Sequence, residues 1–173
     1  MRTLAAFALL ALLAGCASLS FRDDSVTIAS RADFDPERYT GLWYEIARFP
    51  VVFQKGCTNT TAQYGTREDG TLSVLNTCER DGETSQITGS AELVGPGRLA
   101  VRFHSVPFVK APYWVLWVDE DYQTAVVGTP SGRAGWILNR APTLRADRLK
   151  AAQDILAFNG YDISKLIYTQ QAE

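Results

Sequence analysis

Residues 39–48 read YTGLWYEIAR and open a β-rich region that continues to about residue 140. Short apolar and polar runs begin at Gly41, a pattern typical of half-buried strands. Just upstream, Asp35 suits a helix N-cap and Pro36 suits the first helical position. We therefore predict that a short turn of helix leads into a first strand over residues 41–50.

Seven more strands are predicted after the first, because turn residues recur about every eight to twelve positions. The separators include Asp81-Gly82, Gly95-Pro96-Gly97 and Pro130-Ser131-Gly132, which favour tight turns. Such short links join neighbouring strands in an antiparallel meander, and closing an eight-stranded meander into a barrel removes its exposed edges. The predicted strands cover residues 41–50, 57–65, 71–78, 84–94, 98–105, 113–119, 122–128 and 134–140.

One amphipathic helix is predicted after the strands, over about residues 143–158. Apolar residues recur there at helical spacing, and Asn159-Gly160 provide a stop. We expect this apolar stripe to pack on the outside of the barrel, and a short last strand near residues 166–169 to add to an edge. The stripe consists of Leu149, Ala152, Ile155 and Leu156.

The first fifteen residues have the parts of an export signal, with Arg2 before an apolar run that is too short to span a bilayer. The segment Leu13-Ala14-Gly15-Cys16 resembles the bacterial lipobox. That resemblance implies removal of residues 1–15 and attachment of diacylglycerol and a further acyl chain such as palmitate at Cys16. An ordinary signal peptide with an incidental cysteine is the alternative. Residues 16–33, polar and without periodicity, are then predicted to be a tether to a barrel domain over 34–173.

The charge balance of 17 basic and 19 acidic residues provides no basic stripe, so a nucleic-acid partner is not expected. His104 is the one histidine, which argues against a metal site, and no cofactor is predicted. Export would place the chain in an oxidising compartment, where Cys57 and Cys78 are the two cysteines left once Cys16 is acylated. We predict that they form a disulfide, which also disfavours a catalytic thiol.

Three patches resemble the lipocalin family and occur in the expected order. Residues 41–45, GLWYE, are similar to the G-x-W signature of the first barrel strand, and residues 136–140, WILNR, match the last-strand segment that ends in arginine. Residues 119–122, DEDY, stand where the family has a Thr-Asp-Tyr turn, with Asp119 replacing the threonine. The resemblance extends from residue 34 to 170 and is closest to bacterial lipocalin lipoproteins, which resemble apolipoprotein D. It implies an all-β, eight-stranded up-and-down barrel with the C-terminal helix outside.

The resemblance also implies roles for single residues. Trp43 would lie across the closed end with the Arg140 guanidinium stacked on its ring, as a structural plug; the alternative is generic core and a surface charge. Strand alternation places Trp136 and Leu138 inward and groups Tyr113 with Val115 and Trp117 on one face. By position, five residues resemble ligand-lining residues of the family, although each could instead fill the core: Tyr64, Asn76, Tyr113, Trp136 and Leu138.

The loops beside the strand ends offer a second set of candidates. Near the link between the fifth and sixth strands, Phe103, Val106, Phe108 and Lys110 are interpreted as a rim of the open end. An ordinary loop holding Phe53, Phe108 and Lys110 is the equal alternative, and His104 is expected to face solvent.

The predicted cavity suits a fatty acid, a lysophospholipid or a similar hydrophobic ligand. With the lipobox, it predicts a non-catalytic lipoprotein that binds, stores or transports such a ligand. Ala17 and Ser18 follow Cys16 in place of an inner-membrane retention Asp, which favours the outer membrane, facing the periplasm. One alternative is a lipid-modifying enzyme, for which Glu45 is the only suggested cavity acid; another is a non-binding scaffold. The oligomeric state is not predicted.

Overall fold

The computed structural model describes residues 20–172, so the predicted signal peptide and Cys16 lie outside the described residues. The helices are α1, Pro36–Tyr39, and α2, Ala146–Phe158. The strands are β1 Gly41–Arg48, β2 Thr58–Thr66, β3 Leu72–Arg80, β4 Glu83–Gly95, β5 Arg98–Phe103, β6 Ala111–Val118, β7 Thr124–Gly128, β8 Gly135–Asn139 and β9 Ile167–Tyr168. Between residues 20 and 172, no helix has the length and apolar character needed to cross a bilayer.

The first eight strands form a closed antiparallel barrel. Each pairs with the next along the chain, and β1 pairs with both β8 and β2. The predicted up-and-down barrel is therefore confirmed. The predicted N-cap is also confirmed, because Asp35 accepts hydrogen bonds from the backbone N–H groups of Glu37 and Arg38.

The two ends of the barrel differ in what closes them. We call the end where α1 leads into β1 the closed end, and the opposite one the open end. Strand direction then assigns every link to one end. The closed end carries links 67–71, 96–97 and 119–123, and the open end carries links 49–57, 81–82, 104–110 and 129–134.

The C-terminal segment completes the barrel wall at the open end. Pairing between β1 and β2 stops at Tyr44 opposite Thr61. Beyond that point β9 pairs with the end of β1. The Gln171 amide Nε2 then donates to the backbone carbonyls of Glu45 at 2.8 Å and Thr60 at 2.9 Å. The predicted last strand therefore fills a gap between two diverging strands.

The α2 helix packs outside the barrel, as predicted. Ala152 and Leu156 are fully buried in an outer cluster with the outward side chains of Val126 and Ile137, while Leu149 and Ile155 pack against this cluster. The helix starts later than predicted, at Ala146. The Asn139 amide Nδ2 donates to the carbonyls of Ala141 and Thr143, and these bonds hold the preceding residues in a non-helical turn.

A bulge in β6 changes which side chains face inward. The register between β6 and β7 shifts between Val115 and Trp117. As a result Val115 and Val118 belong to the inner cluster, whereas Leu116 and Trp117 belong to the outer one. Grouping Trp117 on one face with Tyr113 and Val115 was therefore wrong, because strict alternation does not continue through a bulge.

Residues 20–33, assigned to the tether from the sequence, instead pack along the barrel wall. Phe21 stacks on Phe49, with ring centres 5.3 Å apart. The buried Arg22 guanidinium donates to the carbonyls of Asn159, Pro130 and Val26. Packing of the half-buried Phe21 ring and the hydrogen bonds of Arg22 hold this segment against the barrel. This corrects the expectation that residues 20–33 form a tether.

Candidate functional site

The closed end is built around the predicted pair Trp43 and Arg140. Trp43 is fully buried, and its indole Nε1 donates to the Tyr39 carbonyl at 2.8 Å. The Arg140 guanidinium carbon lies 3.8 Å from the centre of the Trp43 ring, a distance typical of a cation–π contact. The structure thus brings together the two residues that the sequence predicted to form a plug.

The Arg140 guanidinium also joins several closed-end segments through main-chain carbonyls. Gly41 has φ +95°, and a Cβ at that position would lie 3.1 Å from Arg140 Nη1, so both the turn and the close approach favour glycine. Desolvation by burial lowers the pKa of Arg140. The carbonyls that accept its hydrogen bonds belong to Arg38 at 3.0 Å, Thr40 at 2.8 Å, Leu42 at 2.9 Å and Tyr122 at 3.1 Å.

Three tyrosine hydroxyls meet inside the barrel. The Tyr113 hydroxyl lies 2.8 Å from that of Tyr39 and accepts from that of Tyr64 at 2.9 Å. Burial raises the pKa of Tyr64 to about 12. It also raises the pKa values of Tyr39 and Tyr113 well above their ordinary value, so the three phenols are neutral at physiological pH. The three hydroxyls are polar groups within the apolar inner cluster of the barrel.

The remaining predicted lining residues also lie on the inner face. Trp136 stacks on Tyr113, with ring centres 6.1 Å apart, and Leu138 is buried in the inner cluster. Asn76 pairs across the sheet with Ala62, which packs against the same cluster. Within residues 20–172, the Asn76 oxygen Oδ1 is buried and has no hydrogen-bond partner. A buried unpaired acceptor is costly and is often explained by a missing partner molecule.

Exposure along the inner face shows where the interior opens. Tyr64 and Leu138 are buried, whereas Tyr113, Trp136 and Asn76 are half-buried. Tyr113 and Trp136 lie near the open-end starts of β6 and β8, and Asn76 lies at the middle of β3. These five side chains, the inner surface, therefore extend from the buried Tyr64 and Leu138 near the closed end to the half-buried Tyr113 and Trp136 near the open end.

An ion pair at the open end was not predicted from the sequence. Glu45 and Arg48 have side chains only 3% and 5% exposed, with Arg48 Nη1 donating to Glu45 Oε1 at 3.0 Å. Gln54 donates to Glu45 Oε2 at 2.6 Å and accepts from the Trp136 indole Nε1 at 3.0 Å. Together, Glu45, Arg48, Gln54 and Trp136 form a polar network beside the lining residues.

The reason Arg48 was missed is geometric. With strict alternation, Glu45 and Arg48 would face opposite sides of the sheet. The pairing of β1 with β8 contains a bulge between Glu45 and Ala47, after which Arg48 lies opposite the inward Trp136. Glu45 lies opposite the inward Leu138, so both charged groups enter the barrel. No feature of the sequence marks this bulge.

The open-end loops place the remaining candidates. Phe108 is 99% exposed, and Lys110 forms a 2.8 Å salt bridge with Glu92. His104 is exposed, and its Nδ1 lies 3.1 Å from the Thr88 hydroxyl. Phe53 is also exposed, in the middle of the link to β2.

Two cavities of about 300 and 290 Å³ border the wall of the barrel. The first lies between the C-terminal tail and the β3–β4 turn, and the second lies along β2, β3 and β4. Both volumes are at the low end for ligand sites. Tyr64 borders the second cavity, and the other four predicted lining residues border neither cavity. Most of the inner surface therefore lies outside these two cavities.

The predicted disulfide is present. Cys57 and Cys78 are bonded, with their Cα atoms 5.3 Å apart, and the bond joins the start of β2 to β3 at the open end. In the part of the chain from residue 20 to 172, no group of three or more His, Cys, Asp or Glu side chains is placed to hold a metal ion.

Sequence comparison agrees with this geometry. The sequence model of the Lipocalin-like domain matches residues 34–171. The chain is 42% identical to temperature-induced lipocalin-1 of Arabidopsis thaliana, with 79% of each chain covered. It is 37% identical to outer membrane lipoprotein Blc of Vibrio cholerae over 92% of this chain and 93% of that one. It is also 36% identical to apolipoprotein D of Bos taurus, over 80% of this chain and 78% of that one.

Solved structures show the same fold. Insecticyanin from the tobacco hornworm Manduca sexta superposes with a TM-score of 0.69 at 22% identity, over 85% of this chain and 86% of that one. The match to the domain family, the identity to curated relatives and the closed eight-stranded barrel agree with one another. The chain therefore belongs to the lipocalin family.

Proposed function

We propose that this protein is a non-catalytic carrier that binds one fatty acid, lysophospholipid or similar amphiphile inside the barrel. The observation that carries this proposal is the inner surface, where the half-buried rings of Tyr113 and Trp136 stack on each other and the buried Asn76 Oδ1 has no hydrogen-bond partner among residues 20–172. An apolar chain would lie against these rings and Leu138. Lipocalin barrels have room for one small ligand of this kind.

The polar network at the mouth supports an amphiphile over a plain hydrocarbon. Glu45 and Arg48 neutralise each other, so the network presents hydrogen-bonding groups with little net charge. Such a lining suits the polar head of a lipid whose chain is buried deeper. The ligand class is thus defined by an apolar chain joined to a compact polar head.

Several contacts argue against the enzymatic alternative. Cys57 and Cys78 are bonded to each other, so neither is a free nucleophile. The Glu45 carboxylate already accepts hydrogen bonds from Arg48 and Gln54. The exposed His104 lies in the open-end link 104–110, and its ring nitrogen contacts the Thr88 hydroxyl. Catalysis by an acid and base would require two such groups facing one ligand atom.

We further propose that Cys16 carries the lipid anchor and that the protein faces the periplasm from the outer membrane. Cys16 lies outside the described residues, so the support is the lipobox-like segment at residues 13–16. A second support is the similarity to relatives named outer membrane lipoprotein Blc. Mass spectrometry of the mature N-terminus tests this part: an unmodified cysteine would contradict it.

Ligand binding can be tested with two tryptophan variants. Trp136 faces the barrel interior, whereas Trp117 belongs to the outer cluster, so Trp117→Ala is a matched control for Trp136→Ala. We expect Trp136→Ala to weaken binding of a fluorescent fatty acid about tenfold, since an aromatic contact contributes on the order of 1 to 2 kcal/mol. Trp117→Ala should leave the affinity unchanged.

Native mass spectrometry of the purified protein would identify any bound lipid. If no lipid co-purified and no fluorescent fatty acid bound more tightly than about 100 μM, roughly 5.5 kcal/mol of binding free energy, the carrier proposal would be wrong. That result would favour the scaffold alternative.

A further inference from the structure

Two open-end loops expose large apolar side chains at their tips. Phe108 is 99% exposed, Val52 92% and Phe53 70%. Val106 and Val109 are exposed on the same loop as Phe108. We call these five residues the apolar rim. Strand order places these two loops on opposite sides of the same barrel mouth. Large apolar side chains left in water around one opening indicate a surface that another apolar phase covers.

Charge distinguishes the two ends of the barrel. The loops 49–57 and 104–110 contain no Asp or Glu. They contain Lys55 and also Lys110, which is paired with Glu92 of β4. The acidic residue of the open-end links is Asp81 in the β3–β4 turn. The closed-end links are acidic. They contain Glu68, Asp69, Asp119, Glu120 and Asp121. An anionic surface would therefore attract the apolar rim and repel the closed end.

The N-terminal segment reaches the same end of the barrel. The Phe21 backbone N–H donates at 2.8 Å to the carbonyl of Gly132, which lies in the open-end link 129–134. Cys16 precedes Ser20 by four residues, a length that spans at most about 14 Å. A lipid on Cys16 would consequently enter a bilayer close to the open end.

Buried contacts hold this segment in place. Arg22 Nε donates to the Asn159 carbonyl at 2.8 Å, and Nη1 donates to the Pro130 carbonyl at 3.2 Å. The carbonyl of Phe21 accepts from the Asp162 N–H at 2.8 Å. These contacts fasten residues 21 and 22 to the helix end and the open-end link, so the fold sets the place on the barrel from which the chain continues toward Cys16.

We propose that the apolar rim docks on a phospholipid bilayer, with the segment at Phe21 and Arg22 holding the mouth of the barrel against it. The inference rests on the lipid anchor in the proposed function and adds an orientation to it. Val52, Phe53 and Phe108 insert among the acyl chains, and Lys55 lies at the level of the head groups. A lipid then passes between the bilayer and the barrel without crossing water.

A matched pair of labelled cysteines tests this orientation. Val109 on the rim is 55% exposed and Val94 near the closed end is 57% exposed. The full chain, processed by its host, would carry Val109→Cys or Val94→Cys with an environment-sensitive fluorophore. It would be reconstituted in vesicles of phosphatidylethanolamine with a minority of phosphatidylglycerol, some lipids bearing a doxyl quencher on the acyl chain. We expect quenching at position 109 to be at least about twofold stronger than at position 94.

A second measurement removes the rim. Combining Phe53→Ser with Phe108→Ser should lower vesicle partitioning of the Cys16→Ser chain at least about tenfold, because two inserted rings are lost.

Equal quenching at positions 109 and 94, or unchanged partitioning, would overturn the docking. A blue-shifted label at position 109 without vesicles, with a dimer in sedimentation, would instead assign the rim to a second copy of the chain. The parent chain, which carries neither added cysteine, serves to test the lipid anchor. If the fluorophore labels it, Cys16 is a free thiol, and the anchor is contradicted independently of the docking.

Discussion

The two ends of the barrel each hold an arginine within the wall but satisfy it differently. At the closed end, Arg140 lies over Trp43 and donates to four main-chain carbonyls, and it has no salt-bridge partner among residues 20–172. At the open end, Arg48 is paired with the Glu45 carboxylate. Arg48 also donates to the Thr169 hydroxyl at 3.0 Å and to the Gln54 main-chain carbonyl at 2.8 Å. Carbonyls are fixed by the backbone, whereas a carboxylate and a hydroxyl are side-chain groups that can rotate. The closed-end arginine is therefore held by the rigid main chain, whereas the open-end arginine depends mainly on side-chain partners.

The largest expected effect is at the open end. Replacing Glu45 by Gln leaves the Arg48 charge buried without a counterion, and such changes cost about 4 kcal/mol of unfolding free energy. Urea unfolding measures this. The double variant Glu45→Leu with Arg48→Met should recover most of the loss, because it removes both charges. A single variant as stable as the parent would show that Arg48 is free to reach water.

The disulfide is the next largest contribution, and it also lies at the open end. Cys57 and Cys78 are separated by 21 positions, and closing a loop of that length contributes about 3 kcal/mol in the chain-entropy model. Replacing both cysteines by Ser should lower the urea midpoint accordingly. Fatty-acid affinity at low denaturant should be retained, and loss of the folded barrel at all urea concentrations would mean that the open end depends on this bond entirely.

Removing the closed-end plug should have a smaller effect. Arg140→Ala loses the contact with Trp43 and the charged donors to the four carbonyls, a cost of about 2 kcal/mol after water replaces part of the bonding. The melting temperature should fall while ligand selectivity stays the same. Arg133→Ala, at an exposed arginine of the open end, is the control. Unchanged melting of Arg140→Ala would contradict the plug.

The smallest effect concerns the tyrosine cluster and appears only at alkaline pH. The folded-state pKa of Tyr64 is about 12 and exceeds the ordinary value near 10, because burial disfavours the phenolate. Its contribution to stability is complete below pH 10 and is lost as pH rises toward 12. Tyrosinate absorbance should show a phenol that titrates late. In Tyr64→Phe this late component should shrink, and its persistence at full size would assign it to Tyr39 or Tyr113.

Strand positions were predicted well because their signals are local. Turn residues such as Asp81-Gly82 end strands wherever they occur, and the helical stripe at Ala152 and Leu156 is visible at fixed spacing. The predicted lining residues also lie on the inner face, since alternation holds along regular strands. Arg48 was missed and Trp117 was assigned to the wrong face of its strand. Each follows a bulge, and a bulge reverses the side of the sheet on which every later residue of the strand lies.

The sequence by itself determined the barrel, the outer helix, the pairing of Cys57 with Cys78 and the family, because each follows from periodicity, turn chemistry, cysteine count or short motifs. Only the tertiary structure placed Arg48 beside Glu45, joined the three tyrosine hydroxyls and brought Phe21 to the open end. These contacts connect residues that are distant along the chain or separated by a bulge. They depend on how closed strands and docked segments meet in space, which local sequence signals do not encode.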